Sequence, residues 1–267
     1  MNRVDIRIKE VKDRGEKFLV CLLPLGDPNL KKSHELVELY LKAGVDIVEL
    51  GMPSHKPYLD SVNIAESNIR SFQAEENLDK YFDTIKAIRK DFPKEPFDVM
   101  AYADTVKSYG VDRFVGQIIE ADMDCFLLAD ATVITPDIVE DIDPVLEKAG
   151  VYRVRFMPHP FNEKLLPDIG KNAKGFVILQ AIADAQGNRA NVARENKGLV
   201  QRMRDSGTEA AVTFAYGINN PERAREAIDI GPDGILVGTI MINGIKAGDW
   251  KALEEIISGL KKPTLPG

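Results

Sequence analysis

The sequence is short of cysteine, histidine, tryptophan and positive charge, and most of these shortages remove a class of function. Two cysteines in 267 residues, Cys21 and Cys125, both inside apolar runs, leave no disulfide framework. They read as small buried thiols of a reduced, intracellular protein. Three histidines, His34, His55 and His159, are scattered without metal-ligand spacing, so no metal is assigned. Lys and Arg number 35 against 42 Asp and Glu, a net charge of −7. That balance is the opposite of the basic stripe that holds nucleic acid. An anionic small molecule stays open, because a few backbone amides suffice to hold one phosphate. No apolar run reaches the roughly 18 residues of a membrane-spanning helix. The opening MNRVDIRIKEVKDRG is too charged for a signal peptide. The expectation is a soluble, cytoplasmic protein that meets neither membrane nor nucleic acid.

Certain motifs are missing as well. No G-x-G-x-x-G follows the first apolar run, which weakens a dinucleotide-binding open sheet. No G-x-S-x-G is present, so a hydrolase nucleophile elbow has no candidate. What is present is repetition. Eight short β-rich runs recur: Phe18–Leu23, Asp46–Leu50, Phe97–Met100, Cys125–Asp130, Tyr152–Met157, Phe176–Ala181, Ala211–Phe214 and Gly234–Val237. Most are spaced by one βα unit of about 30 residues, and helical patterns fill the gaps. Ser33 to Lys42 carries Leu36, Val37, Tyr40 and Leu41 on one face and stops at Gly44. Thr105 to Ala121 reads as a further helix. Thr135-Pro136-Asp137 and Asn219-Asn220-Pro221 carry the cap-then-proline signature of helix starts. No linker or change in composition interrupts the series. The expectation is an α/β chain folded as a (β/α)8 TIM barrel with small extra helices, residues 1–267 forming a single domain. A doubly wound open sheet is the runner-up.

In such a barrel the site forms at the C-terminal ends of the strands. Strand alternation places Ile47 and Glu49 on one face and Asp46, Val48 and Leu50 on the other. If Ile47 points inward, Glu49 does too, near the mouth. A carboxylate there loses hydration and becomes a usable acid or base near neutral pH; the competing reading is a strand-end carboxylate that anchors a helix. Asp60 lies just before a helix that starts near Ser61, where capping is its simplest role. Asp27 and Asp130 are read as turn and capping residues. Gly217 and Gly238 follow the last two strands at strand-to-helix junctions. Backbone N–H groups there can face a phosphate, and the loops after strands 7 and 8 are where this fold often binds one. The sixth strand ends Leu179-Gln180-Ala181-Ile182, with no lysine for a Schiff base. Carboxylate acid–base chemistry on a phosphorylated small molecule is what remains.

Leu25-Gly26-Asp27-Pro28, Val48-Glu49-Leu50-Gly51-Met52-Pro53, then Pro57 and Asp60, resemble the tryptophan synthase alpha subunit family. So do Asn68-Ile69-Arg70-Ser71-Phe72, Tyr102-Ala103, Ala129-Asp130 and the Gly217 and Gly238 junctions, in register over nearly the whole chain. The resemblance implies a barrel that cleaves indole-3-glycerol phosphate to indole and glyceraldehyde 3-phosphate with no cofactor. By position it implies Glu49 as the acid–base group and Asp60 as the carboxylate that holds the indole N–H. It assigns substrate contacts to Leu22, Tyr102, Ala129, Ile178, Gln186 and Tyr216, and the phosphate to Gly187, Gly217, Gly238 and Thr239. It also implies a tryptophan synthase beta subunit as partner.

The departures lie in two loops. The family pattern P-F-S-D-P-x-A-D-G-P becomes Pro53-Ser54-His55-Lys56-Pro57-Tyr58-Leu59-Asp60-Ser61-Val62. Because residues 54–62 touch the beta subunit in the family, that partner is in question. The pattern S-R-x-G-V-T-G becomes Ala181-Ile182-Ala183-Asp184-Ala185-Gln186-Gly187, with Gln186 for the Thr. Family aromatics become Leu22 and Ile178, and Ala215-Tyr216 stands for Gly-Phe. Three readings stay open: the family lyase, a paralogue using the same Glu/Asp pair on another phosphorylated substrate, and a non-catalytic barrel that binds a phosphate-bearing ligand.

Overall fold

The structure, a computed structural model, describes residues 1–57, 61–131, 136–182, 193–215 and 217–266. Among the described residues nine parallel strands form one sheet: β1 (Phe18–Pro24), β2 (Ile47–Gly51), β3 (Phe97–Ala101), β4 (Cys125–Leu128), β5 (Tyr152–Arg153), β6 (Arg155–Met157), β7 (Phe176–Gln180), β8 (Ala211–Ala215) and β9 (Gly234–Val237). Their order is β5-β4-β3-β2-β1-β9-β8-β7-β6. The strands at the two ends of that order are joined by Val154 alone, so the ring closes through the chain itself, as a (β/α)8 TIM barrel requires. The run Tyr152–Met157 is therefore two pieces and not one strand. Its first piece pairs only with β4 and its second only with β7.

The helices on the outside are α1 (Arg3–Asp13), α2 (Leu30–Lys42), α3 (Val62–Ala74), α4 (Leu78–Asp91), α5 (Ala103–Tyr109) and α6 (Val111–Glu120). They continue as α7 (Pro136–Ala149), α8 (Leu166–Asn172), α9 (Ala193–Asp205), α10 (Pro221–Asp229), α11 (Thr239–Ala247) and α12 (Trp250–Lys261). Asparagine and aspartate start many of them: the side chains of Asn2, Asn29, Asn77, Asn220 and Asp249 accept a first-turn N–H. The stretch expected as one helix from Thr105 to Ala121 is two, α5 and α6, because Gly110 takes φ +93°. A residue in that conformation cannot continue a right-handed helix.

Alternation along each strand divides the core in two. Leu19, Leu23, Val48, Leu50, Phe97 and Val99 face outward against the helices. Phe18, Val20, Leu22, Ile47, Met100, Leu127, Phe176 and Ile178 face into the barrel. The floor is plugged by α1, whose Val4, Ile8 and Val11 join the inner cluster. Carboxylates lock that floor from outside. Asp124 accepts from Arg89, Arg3 and the Phe97 N–H. Asp46 accepts from the Leu19 N–H and from Lys261 near the other end of the chain.

Gly234 has no room for a side chain: a Cβ there would lie 2.6 Å from the ring of Phe18, itself fully buried. Gly234→Ala is expected to lose about 2 kcal/mol of stability in urea unfolding, as overpacked cores do. Phe18→Leu in the same chain should return part of it.

Candidate active site

At the C-terminal ends of the strands a cavity of about 560 Å³ opens. Its walls are apolar, built by inward residues of successive strands: Leu22 on β1, Met100 on β3, Leu127 on β4, Phe156 on β6, Ile178 on β7 and Leu236 on β9. Glu49 on β2 is the one carboxylate among the described lining residues, and it is 3% exposed. No Lys, Arg or His occurs among those residues. Among the described residues the cavity therefore presents a single carboxyl group in an apolar wall, a setting that favours proton transfer. Burial pushes the thiols of Cys21 and Cys125 well above their usual range, so neither supplies a thiolate nucleophile.

Among the described residues the opposite side of the cavity is polar and uncharged. Gly217, with φ +66°, and Asn219 and Asn220 line it after β8, ahead of α10. After β9, Gly238 and Thr239 line it at the start of α11. Asn243 lies one turn further along α11. Glycine junctions and a helix N-terminus facing the pocket form a surface suited to an anion.

Hydrogen bonds fix the loops above the strands. The N–H of Ser54 donates to Asn68 Oδ1 at 2.9 Å, and Ser54 Oγ donates to Asp104 Oδ1 at 2.7 Å. Thr105 Oγ1 donates to the Pro53 carbonyl at 2.7 Å. Asp130 accepts from the Ala103 N–H at 2.9 Å and so ties the end of β4 to the start of α5. Asp27 is more than the turn residue expected. It is 1% exposed and accepts from Arg70 Nε at 2.9 Å, Arg70 Nη2 at 2.6 Å and Ser67 Oγ at 2.5 Å. The reason is distance in sequence: its partners lie 40 and 43 residues away, where local turn chemistry cannot see them.

The structure brings Leu22, Glu49, Tyr102, Ala129, Ile178, Gly217, Gly238 and Thr239 to one cavity. Asp60, Gln186, Gly187 and Tyr216 lie outside the described residues. His55 stacks on Phe72 with ring centres 4.0 Å apart, and neither His55 nor Lys56 is among the cavity lining. Sequence reading passed over Phe156 and Asn243. Phe156 was readable from the alternation of Val154 and Phe156 against Arg153 and Arg155. Asn243 follows Thr239 at a spacing of four, which shares a helix face.

A family model described as tryptophan synthase alpha chain matches residues 8–262. The chain belongs to this family. Its members are lyases. The alpha chain from Legionella pneumophila subsp. pneumophila superposes with a TM-score of 0.85 at 22% identity, covering 99% of this chain and 97% of that one. Subunit alpha from Legionella pneumophila str. Paris gives 0.84 at 24%, over 99% and 98%. Tryptophan synthase from M. tuberculosis in its aminoacrylate-bound form gives 0.84 at 19%, over 99% and 100%. At these identities the alpha chains share the barrel with this protein. Among the described residues no helix is long and apolar enough to cross a membrane.

Arg70→Leu would leave the Asp27 carboxylate buried with Ser67 as its one remaining partner among the described residues. A loss of about 2 kcal/mol is expected in urea unfolding, below the usual ~3–5 kcal/mol for halving a buried ion pair because Arg70 is partly exposed. The double change with Asp27→Asn should cost less than the sum of the single changes.

Proposed function

We propose that this alpha-chain family member is a carbon–carbon lyase that cleaves indole-3-glycerol phosphate into indole and glyceraldehyde 3-phosphate without a cofactor. The observation that carries the reading is Glu49, the one carboxyl group among the described residues lining an apolar cavity whose far side is built from glycines, asparagines and a helix N-terminus. The apolar walls, Phe156 and Leu22 among them, accept the ring system, and the junctions at Gly217, Gly238 and Thr239 take the phosphate. Gly187 joins them by its position in the family pattern. With the phosphate anchored, the ring carbon bearing the glycerol chain is held toward Glu49.

The Glu49 carboxyl protonates that ring carbon. It then takes the proton of the adjacent side-chain hydroxyl, the carbon–carbon bond breaks, and its electron pair returns to the ring. Glu49 ends the cycle with the proton it began with. Asp60, by its position in the family motif, accepts from the indole N–H and stabilises the positive charge on the protonated ring. Tyr102, Ala129, Ile178, Gln186 and Tyr216 complete the substrate contacts. Ser54, His55 and Lys56 stand where the family meets its beta subunit, so a beta subunit, if it binds, meets altered chemistry there.

One observation favours a second substrate: Leu22 and Ile178 line the cavity where the family carries aromatics. A different phosphorylated compound acted on by the same Glu49 is the reading this would support.

The purified protein should release indole from indole-3-glycerol phosphate, and Glu49→Gln should lower kcat by about 10²–10⁴-fold, the range of general acid–base catalysis. A folded wild-type protein that releases none overturns the lyase assignment. Thermal stabilisation by glycerol phosphate but not by indole would then point to the second substrate.

A further inference from the structure

Below the cavity the barrel holds a second carboxyl group. The parallel register sets Asp98 on β3 directly beside Glu49 on β2. Such neighbours lie about 5 Å apart and point to the same face. That face is the inside of the barrel, because Ile47, two residues before Glu49, and Met100, two residues after Asp98, both belong to the inner cluster. Asp98 is fully buried; the backbone amides of Leu127 and Val99 approach its carboxyl group, but neither oxygen meets a donor in good hydrogen-bond geometry. On its other side stands Cys125 of β4, and Asp124 immediately precedes that strand. Asp124 is held by Arg89 and Arg3, whereas Cys125 stays a neutral thiol.

Burial first, then the charges of Glu49 and Asp124, push the Asp98 carboxyl well above the usual carboxylate range. The amides of Leu127 and Val99 favour the anion but are outweighed. A buried carboxylate whose donors are too weak to offset its lost hydration takes up a proton. Two carboxyls side by side in a medium of low polarity do not both ionise until the second proton is forced off at higher pH.

We infer that Glu49 and Asp98 form one two-carboxyl acid that keeps a proton inside the barrel through neutral pH. Asp98 is a positioning residue, acting on the reaction through Glu49. The catalytic part of this inference rests on the lyase reading. In each turnover Glu49 gives one proton to the ring carbon and regains one from the hydroxyl, so the pair's proton count is unchanged. The singly protonated pair keeps a transferable proton at pH values where a lone glutamate would be bare, because its second ionisation falls above that of a lone carboxyl.

The test is carboxyl carbon-13 NMR of the ligand-free chain from acid to alkaline pH, beside Asp98→Asn and Glu49→Gln. In wild type one Asp resonance should remain protonated at neutral pH and vanish in Asp98→Asn. Glu49 should titrate in two steps in wild type and in one step, at lower pH, in Asp98→Asn. With indole-3-glycerol phosphate, the alkaline limb of kcat/KM should move about one pH unit toward acid in Asp98→Asn, a tenfold change at fixed alkaline pH. A purely structural role would lower activity equally at every pH. Should Asp98→Asn fail to fold, Glu49→Gln serves: loss of the neighbouring charge should lower the ionisation of Asp98 by about one unit. An Asp98 that is ionised at neutral pH, or carboxyl titrations unmoved by either substitution, overturns the pair. If the titrations behave as expected and no indole forms, the pair stands and the lyase reading falls.

Discussion

Placing Glu49 at the mouth of a closed barrel removes water from a group that prefers to be charged in water. The rest of the molecule can be understood from that desolvation. Strand alternation turns Glu49 inward with Leu22 and Met100, and the outward residues seal the sheet under the helices. Meanwhile Asp124 and Asp46, two buried acids outside the barrel interior, are matched by Arg89, Arg3 and Lys261. Those cations sit on the scaffold, and no Lys, Arg or His is among the described residues that line the cavity with Glu49.

The same separation explains how an acidic protein with a net charge of −7 can offer a seat to an anion. Neutral polar groups line the cavity after β8 and β9: the backbone at Gly217 and Gly238, Asn219 and Asn220 ahead of α10, and Thr239 and Asn243 on α11. A neutral cradle and a dry acid on facing walls match a ligand that has a charged tail and an apolar head. The buried Asp98 adds an ionisable group that does not line this cavity, and its effect reaches substrate only through Glu49.

Much of this was legible in the sequence, because barrel architecture is written in local period. Eight apolar runs at regular spacing specified the ring, and two-residue alternation at Ile47-Val48-Glu49 was enough to send Glu49 inward. Where reading fell short, the missing term was non-local. The break at Val154 reflects the demands of β4 on one side and β7 on the other. The ion pair of Asp27 with Arg70 spans 43 residues, and the register that sets Asp98 beside Glu49 spans 49 positions of chain that no periodicity connects. Gly110 was visible as a glycine, yet nothing nearby showed that its φ would be positive.

The central claim is that Glu49 delivers the proton that releases the ring. Running the cleavage in D₂O tests it most directly, with the indole examined by mass spectrometry and proton NMR. Wild-type protein should yield indole with one deuterium at the carbon that carried the glycerol chain, and Glu49→Gln should yield almost no product on the same timescale. Indole formed by Glu49→Gln at the wild-type rate, or the absence of indole from folded wild-type protein, would contradict the claim.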